Sequence, residues 1–221
     1  MGTECCGVIA YYTHRSSTSI PNLLLHVACG LFAIDRDLVR YIFLTLALVG
    51  NTLFVATITL GLQIGDPTQR DLAVQTAVAT HQLTGLSTLV FASLVHAITL
   101  TYFMGTGRWM EETLDAYRID KSPRQQNLQL KTKTILQIGA CLTLLLTTGA
   151  LGALADPASP MGMEGWLGVP THTWHFLSAI TTASVNLLVN LSEYFAISRN
   201  HTLIDTVMRQ VREIRAQHGL S

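Results

Sequence analysis

Two histidines, His81 and His96, lie within the stretch from Val74 to Phe103, which contains no Asp, Glu, Lys or Arg. An imidazole can ligate a metal through a ring nitrogen and can exchange a proton near neutral pH. An ionisable side chain inside a segment long enough to cross a bilayer is costly to hold there, and is by default a functional-site hypothesis. At ~100° and ~1.5 Å per residue, the spacing of His81 and His96 puts both on roughly one helical face, about 22 Å apart along the axis. Gly85 follows one turn after His81, where a missing side chain leaves room for something flat. Further along, His172 and His175 stand at i, i+3, and Asn186, Asn190 and Glu193 at i, i+4 and i+7. Each set shares one helical face.

Two chemistries follow from these residue types. His81, His172 and His175 supply three imidazoles at the outer end of the molecule, enough for a tetrahedral metal site with one open position. Alternatively, His81 and His175 serve as axial ligands of one b-type haem, with Gly85 beside it. At the inner end, His96, Asn186, Asn190 and Glu193 form a polar intramembrane cluster. Such a cluster either holds helices together by hydrogen bonds, relays protons, or meets a quinone head. The placing of His81 and His96 resembles that of b-type cytochromes, where helices of a four-helix bundle carry two histidines at similar spacing. The resemblance covers one helix and implies haem ligation. It departs from the pattern at His96: two bis-histidine haems need four axial histidines, and the remaining spans offer no mate for it. What it implies is therefore one haem, near the outer face.

The elements that position these residues are read from charge and hydropathy. Hydrophobic residues make up 49% of the 221 and charged residues 13%, against about 25% charged in soluble domains. The charges are segregated, leaving apolar windows at 41–64, 74–103, 135–155 and 176–197, with Glu193 the one formal charge inside them. Each meets the ~20 residues needed to cross a ~30 Å hydrocarbon core. Of the 14 Lys and Arg, all but Arg70 fall in the N-terminal region, the central loop or the C-terminal tail. Positive charge stays on the cytoplasmic side, so this pattern predicts four passes with both termini cytoplasmic. The fold class expected is an all-α integral membrane four-helix bundle. It has a cytoplasmic N-terminal region (1–36) with an interfacial helix over 20–34, and one domain over 37–217 in which spans two and four continue as helical cytoplasmic extensions.

Finer expectations follow. Asp35 or Asp37 caps the first span. Met104-Gly105-Thr106-Gly107 loosens the second, and Ser122-Pro123 breaks its cytoplasmic continuation, with the third starting near Asn127–Thr134. Glu193 reaches the interface or pairs with a base such as Arg108. The Pro- and Gly-rich outer loop, 156–171, is irregular. The two hairpins show no matching side chains, so no internal repeat is expected. Cys5, Cys6, Cys29 and Cys141 avoid the outer loops, which argues against a disulfide framework.

For function, the sequence admits three readings. One is a small subunit of a redox assembly with one haem b, partnered by the bilayer and by other membrane subunits or further copies of itself. A second is a scaffold or accessory subunit without cofactor. The third is an oligomeric channel or transporter. None requires an enzyme acting alone, and the basic residues, mixed with acids, imply no nucleic-acid partner.

Overall fold

The computed structural model describes residues 36–69, 71–160 and 162–219, with the backbone alone for Arg36 and Asp37. The interfacial helix expected over 20–34, the capping by Asp35 or Asp37, and Cys5, Cys6 and Cys29 lie outside the residues so described. The chain divides into two compact units, Met1–Ile42 and Phe43–Ser221, and all packing below is within the second.

The chain is all-α. Among the described residues four long helices follow one another: α1 (Arg36–Leu62), α2 (Leu72–Tyr117), α3 (Ser122–Ala155) and α4 (Thr171–Gln217). Three of them, α1, α2 and α3, are long and apolar enough to cross a membrane. The most extensive helix packing is between α3 and α4, then between α2 and α3. The central core draws on all four helices, through Phe54, Ala92, Ile138, Cys141, Leu145 and Val189. Beyond it, Met110 and Leu114 of α2 pack on Ile204, Val207 and Val211 of α4, which carries the bundle past the apolar windows.

The polarity of this bundle is inverted relative to a soluble one. Its interior holds Thr88, His96, Thr99, Asn127, Asn186, Asn190, Glu193 and Asn200, while Leu83, Leu136, Leu146, Leu188 and Phe195 stand exposed. Water would penalise so large an apolar exterior; a lipid phase favours it, and favours polar side chains that bond across helices. Together with the three apolar helices, this marks a membrane protein.

Several boundaries differ from expectation, each for a local reason. Met104–Gly107 does not loosen α2, which runs unbroken for 46 residues, because Thr106 is buried and bonded in the interior. The helix stops instead at Arg118, in the left-handed conformation (φ 54°), with its N–H returned to the Leu114 carbonyl. Pro123 starts α3 rather than breaking what precedes it, since proline lacks an N–H that the first turn does not use. The start of α2 is capped by Asp71, whose carboxylate accepts from the Ala73 N–H at 3.0 Å. In the loop before it, Asp66 accepts from the Thr68 hydroxyl and N–H, which holds its carboxyl below the usual range. The outer loop is not wholly irregular. It contains a hairpin of β1 (Gly165–Trp166) and β2 (Val169–Pro170), turned by Leu167 and Gly168 at φ 54° and 73°, the double positive φ of a two-residue hairpin turn.

Contrary to the sequence reading, the two hairpins are structural repeats. A shift of 94 residues (88 to 182) carries the buried Thr88, Ala92, Val95, His96, Thr99, Phe103, Thr106, Met110 and Thr113 of α2 onto buried Thr182, Asn186, Val189, Asn190, Glu193, Ile197, Asn200, Ile204 and Val207 of α4. A shift of 91 (57 to 148) carries buried Phe43, Ala47, Gly50 and Phe54 of α1 onto buried Thr134, Ile138, Cys141 and Leu145 of α3. The bonds repeat too: the Thr57 and Thr88 hydroxyls meet at 2.8 Å, as do those of Thr148 and Thr182. The match is invisible as residue identity because burial pattern, rather than side-chain type, is what the two halves share.

Register between α3 and α4 is set by polar residues every seven positions: Asn127, Thr134, Cys141 and Thr148 on one, Asn186, Glu193 and Asn200 on the other. Asn127 donates to Asn200 at 2.6 Å, and Cys141 to Asn186 at 3.7 Å. This is the seam of an antiparallel coiled coil with polar register pins. Asn200 also donates to the Thr106 and Tyr102 oxygens at 3.0 and 3.2 Å. Asn200→Leu removes all three bonds and orphans the Asn127 amide. It is expected to cost about 1–3 kcal/mol, read as a lowered melting temperature in detergent, with recovery in Asn127→Leu/Asn200→Leu. A melting temperature unchanged by the single substitution would show that this polar layer does not set the register.

Candidate functional site

Two sites emerge, one at each end of α2's apolar stretch. The outer one joins His81 of α2 to His175 of α4. The His81 Nδ1–H donates to the Thr57 carbonyl at 3.0 Å, and the His175 Nδ1–H to the Thr148 carbonyl at 3.1 Å. Thr57 and Thr148 are equivalent in the repeat, as are His81 and His175, so one arrangement is made twice. Each ring also lies on a glycine of the adjacent helix. A Cβ added at Gly61 would meet His81 Cε1 at 2.8 Å, and one at Gly152 would meet His175 Cε1 at 3.0 Å. The local motif is Thr57-x-x-x-Gly61 and Thr148-x-x-x-Gly152: the threonine carbonyl tethers the ring, and one turn on the glycine gives it a seat.

The tethers have a chemical consequence. A carbonyl oxygen only accepts, so Nδ1 carries the hydrogen and a neutral ring keeps its lone pair at Nε2. Metal-ligating histidines are oriented by this kind of second bond. The two ring centres are 6.1 Å apart and near-perpendicular, at 81°. Each ring sets its Nδ1–Cε1–Nε2 edge against the glycine of the adjacent helix, with Nε2 3.5 and 3.6 Å from the Cβ positions of Gly61 and Gly152. His81 and His175 are the residues that would offer Nε2 to a metal ion here.

The remaining outer candidates are not brought into this site. His172 is exposed in the first turn of α4, and among the described residues no group of three His, Cys, Asp or Glu is assembled to hold a metal ion. The three histidines His81, His172 and His175 are therefore not brought together: His175 is half-buried beside His81, while His172 stays at the surface. Nearby, Trp174 donates to the Trp166 carbonyl at 3.1 Å and packs on its ring, which ties α4 to the outer hairpin. Gly85 faces α1; a Cβ there would make ordinary contact with the Thr57 methyl at 3.5 Å. It is a helix-packing position.

The inner site joins α2, α3 and α4. His96 Nδ1 and Glu193 Oε1 share a hydrogen bond of 2.9 Å, with side chains 1% and 0% exposed. The Cys141 thiol interacts with the His96 ring, though outside the geometry of a hydrogen bond to Nε2. Cys141 in turn donates to Asn186, whose amide donates to Asn51 of α1 at 3.3 Å. Three buried atoms are left without a hydrogen-bond partner: His96 Nε2, Glu193 Oε2 and Asn190 Oδ1. The expected pairing of Glu193 with Arg108 does not form. Arg108 lies twelve residues beyond His96 on α2, ~18 Å along the axis, and its Nε–H donates to Glu112 at 2.9 Å instead.

Of the residues singled out in the sequence, His81 with His175 and His96 with Glu193 are brought together, and Asn186 and Asn190 line the inner site. Asn51, Cys141, Asn127, Asn200, Gly61 and Gly152 were missed. The seven-residue spacing on α3 and α4 and the repeated Thr-x-x-x-Gly were the signals that pointed to most of them. Comparison with known protein-family models, with curated proteins and with solved structures finds no match to this chain.

Proposed function

We propose that this protein is a four-pass membrane subunit of a redox assembly that holds one b-type haem between His81 and His175 near the outer face. The observation that carries the reading is the outer pair itself: two rings 6.1 Å apart, each tethered through Nδ1 to a backbone carbonyl. Those tethers fix ring orientation and leave Nε2 as the nitrogen that carries the lone pair of each neutral ring. A haem so held supplies one-electron transfer, with its potential tuned by the axial ligands and by burial.

The fourth pass is supported by the outward face of α4, where Leu187, Leu188, Leu191 and Phe195 surround the level of the inward Glu193. Its inward Asn and Glu residues lower its mean hydropathy without being exposed to lipid. Placing both termini in the cytoplasm is supported by the basic residues at the termini and in the central loop.

The test is an absorbance spectrum of the purified full-length protein. A Soret band is expected, lost in His81→Ala and in His175→Ala and kept in His96→Ala. A folded wild-type protein that has no Soret band, even after haem is added, overturns the reading and leaves a cofactor-free membrane scaffold.

A further inference from the structure

The inner site sits midway along a line of polar side chains inside the bundle. At the outer end, Thr148 bonds Ser178 and Thr182 at 2.7 and 2.8 Å. Next come Asn51, Asn186 and Cys141, then His96, Glu193 and Asn190, and finally Asn200 with Asn127, Thr106 and Tyr102. From Ser178 to Asn200 this line covers about 33 Å of α4 at ~1.5 Å per residue, against a hydrocarbon core of ~30 Å. It therefore traverses the membrane interior rather than clustering at one depth.

The repeat shows that its centre is specialised. His96 corresponds to Asn190, and Thr99 to Glu193, so each member of the pair stands where the other half has a neutral side chain. Helix packing alone would be met by closed hydrogen bonds between neutral side chains, as in the Asn127–Asn200 layer. The His96–Glu193 pair instead leaves an atom without a hydrogen-bond partner at each end, Nε2 beside the Cys141 thiol and Oε2 on the other side, with Asn190 Oδ1 one turn away. Buried polar atoms without protein partners are places for bound water, and water is what would join this pair to the layers above and below.

We propose that His96 and Glu193 form the proton-transfer centre of a proton path across the bundle. In each passage a proton binds His96 Nε2 as the Nδ1 proton passes to Glu193 Oε1; rotation of the carboxyl carries that proton to the open side, where it leaves, and the ring returns to its Nδ1–H form by rotation or by exchange through bound water. One proton enters and one leaves, so the pair's charge and tautomer are restored over a cycle. Net charge crosses the membrane, and a counter-ion must balance it. The ionisable groups facing the pair are Cys141 from α3 and, further along α2, Tyr102; α1 contributes Asn51, which does not titrate. The path does not rest on the outer haem site, since neither His81 nor His175 belongs to it.

The test is proton flux into liposomes containing the full-length protein, driven by a potassium gradient with valinomycin and read with an enclosed pH-sensitive dye. The wild-type protein is expected to conduct above empty liposomes. Glu193→Gln and His96→Gln should each slow flux on the order of 100-fold, as for loss of a positioned proton-transfer group. His172→Gln, exposed and off the line, should not. Should either inner variant fail to fold, dicyclohexylcarbodiimide, which attacks protonated carboxyls in apolar surroundings, tests the wild-type protein directly. Labelling at Glu193, located by mass spectrometry, should stop the flux. Wild-type flux no higher than that of empty liposomes overturns the proposal. So does flux that survives both substitutions or the labelling of Glu193.

Discussion

Glu193→Ala is expected to be the most destabilising single substitution in the bundle, by about 3–5 kcal/mol. The carboxyl is fully buried and bonds the fully buried His96 at 2.9 Å. Removing it leaves the imidazole Nδ1 unpaired in a low-dielectric interior, next to an Nε2 already without a partner. The desolvation cost of the ring then stands uncompensated. The comparison that isolates the pair is His96→Leu/Glu193→Leu. Replacing both partners by apolar groups of similar volume removes the buried polar atoms together, and such replacements are often neutral or stabilising. Thermal unfolding in one detergent, followed by helical circular dichroism, should therefore give a large drop for the single variant and recovery for the double. If the single variant melts within a degree or two of wild type, the His96–Glu193 hydrogen bond is not the structural tie that its burial implies.

The second large effect concerns the glycine seats. Gly61→Val and Gly152→Val each place a Cβ inside van der Waals contact of a histidine ring, 2.8 and 3.0 Å from Cε1, and add two further methyl carbons. The ring has to swing away, and its Nδ1–H then loses the Thr57 or Thr148 carbonyl. Overpacking of this kind costs about 1–3 kcal/mol. The loss of aim at the outer pair should matter more than the loss of stability. Haem retained per protein after purification is expected to fall at least ~10-fold, the equivalent of about 1.4 kcal/mol in affinity. Gly139→Val is the control, since a Cβ at Gly139 meets nothing within 4 Å. Equal haem content in all three variants would dissociate the glycine seats from ligation.

Much of the architecture was legible before the structure. The four helices were anticipated in order, as was the overshoot of α2 and α4 beyond their apolar windows, because apolar length and charge segregation are one-dimensional properties. The helix ends were less legible. Arg118 ends α2 through a backbone conformation, and Pro123 marks a start or a stop according to which side of it the hydrogen bonds form. The site was legible in part. His81, His96 and Glu193 declared themselves by being ionisable within apolar runs, and His172 and His175 by standing at i, i+3 just before one. His172 proved to lie at the surface.

The sequence by itself determined that the chain is helical, that its helices present leucine-rich surfaces long enough for a bilayer, and that its few ionisable interior residues matter. These follow from composition over some twenty residues, where single-residue errors average out. The tertiary structure alone decided the pairings: His81 with His175, His96 with Glu193, and each outer ring with a glycine and a threonine carbonyl of its neighbour. Pairing depends on the rotation and register of one helix against another. A shift of one residue turns a side chain by ~100°, and the register that prevents it is set by contacts between α3 and α4 distant in sequence. The same dependence hid the repeat, which is written in which positions are buried and hardly at all in which residues fill them.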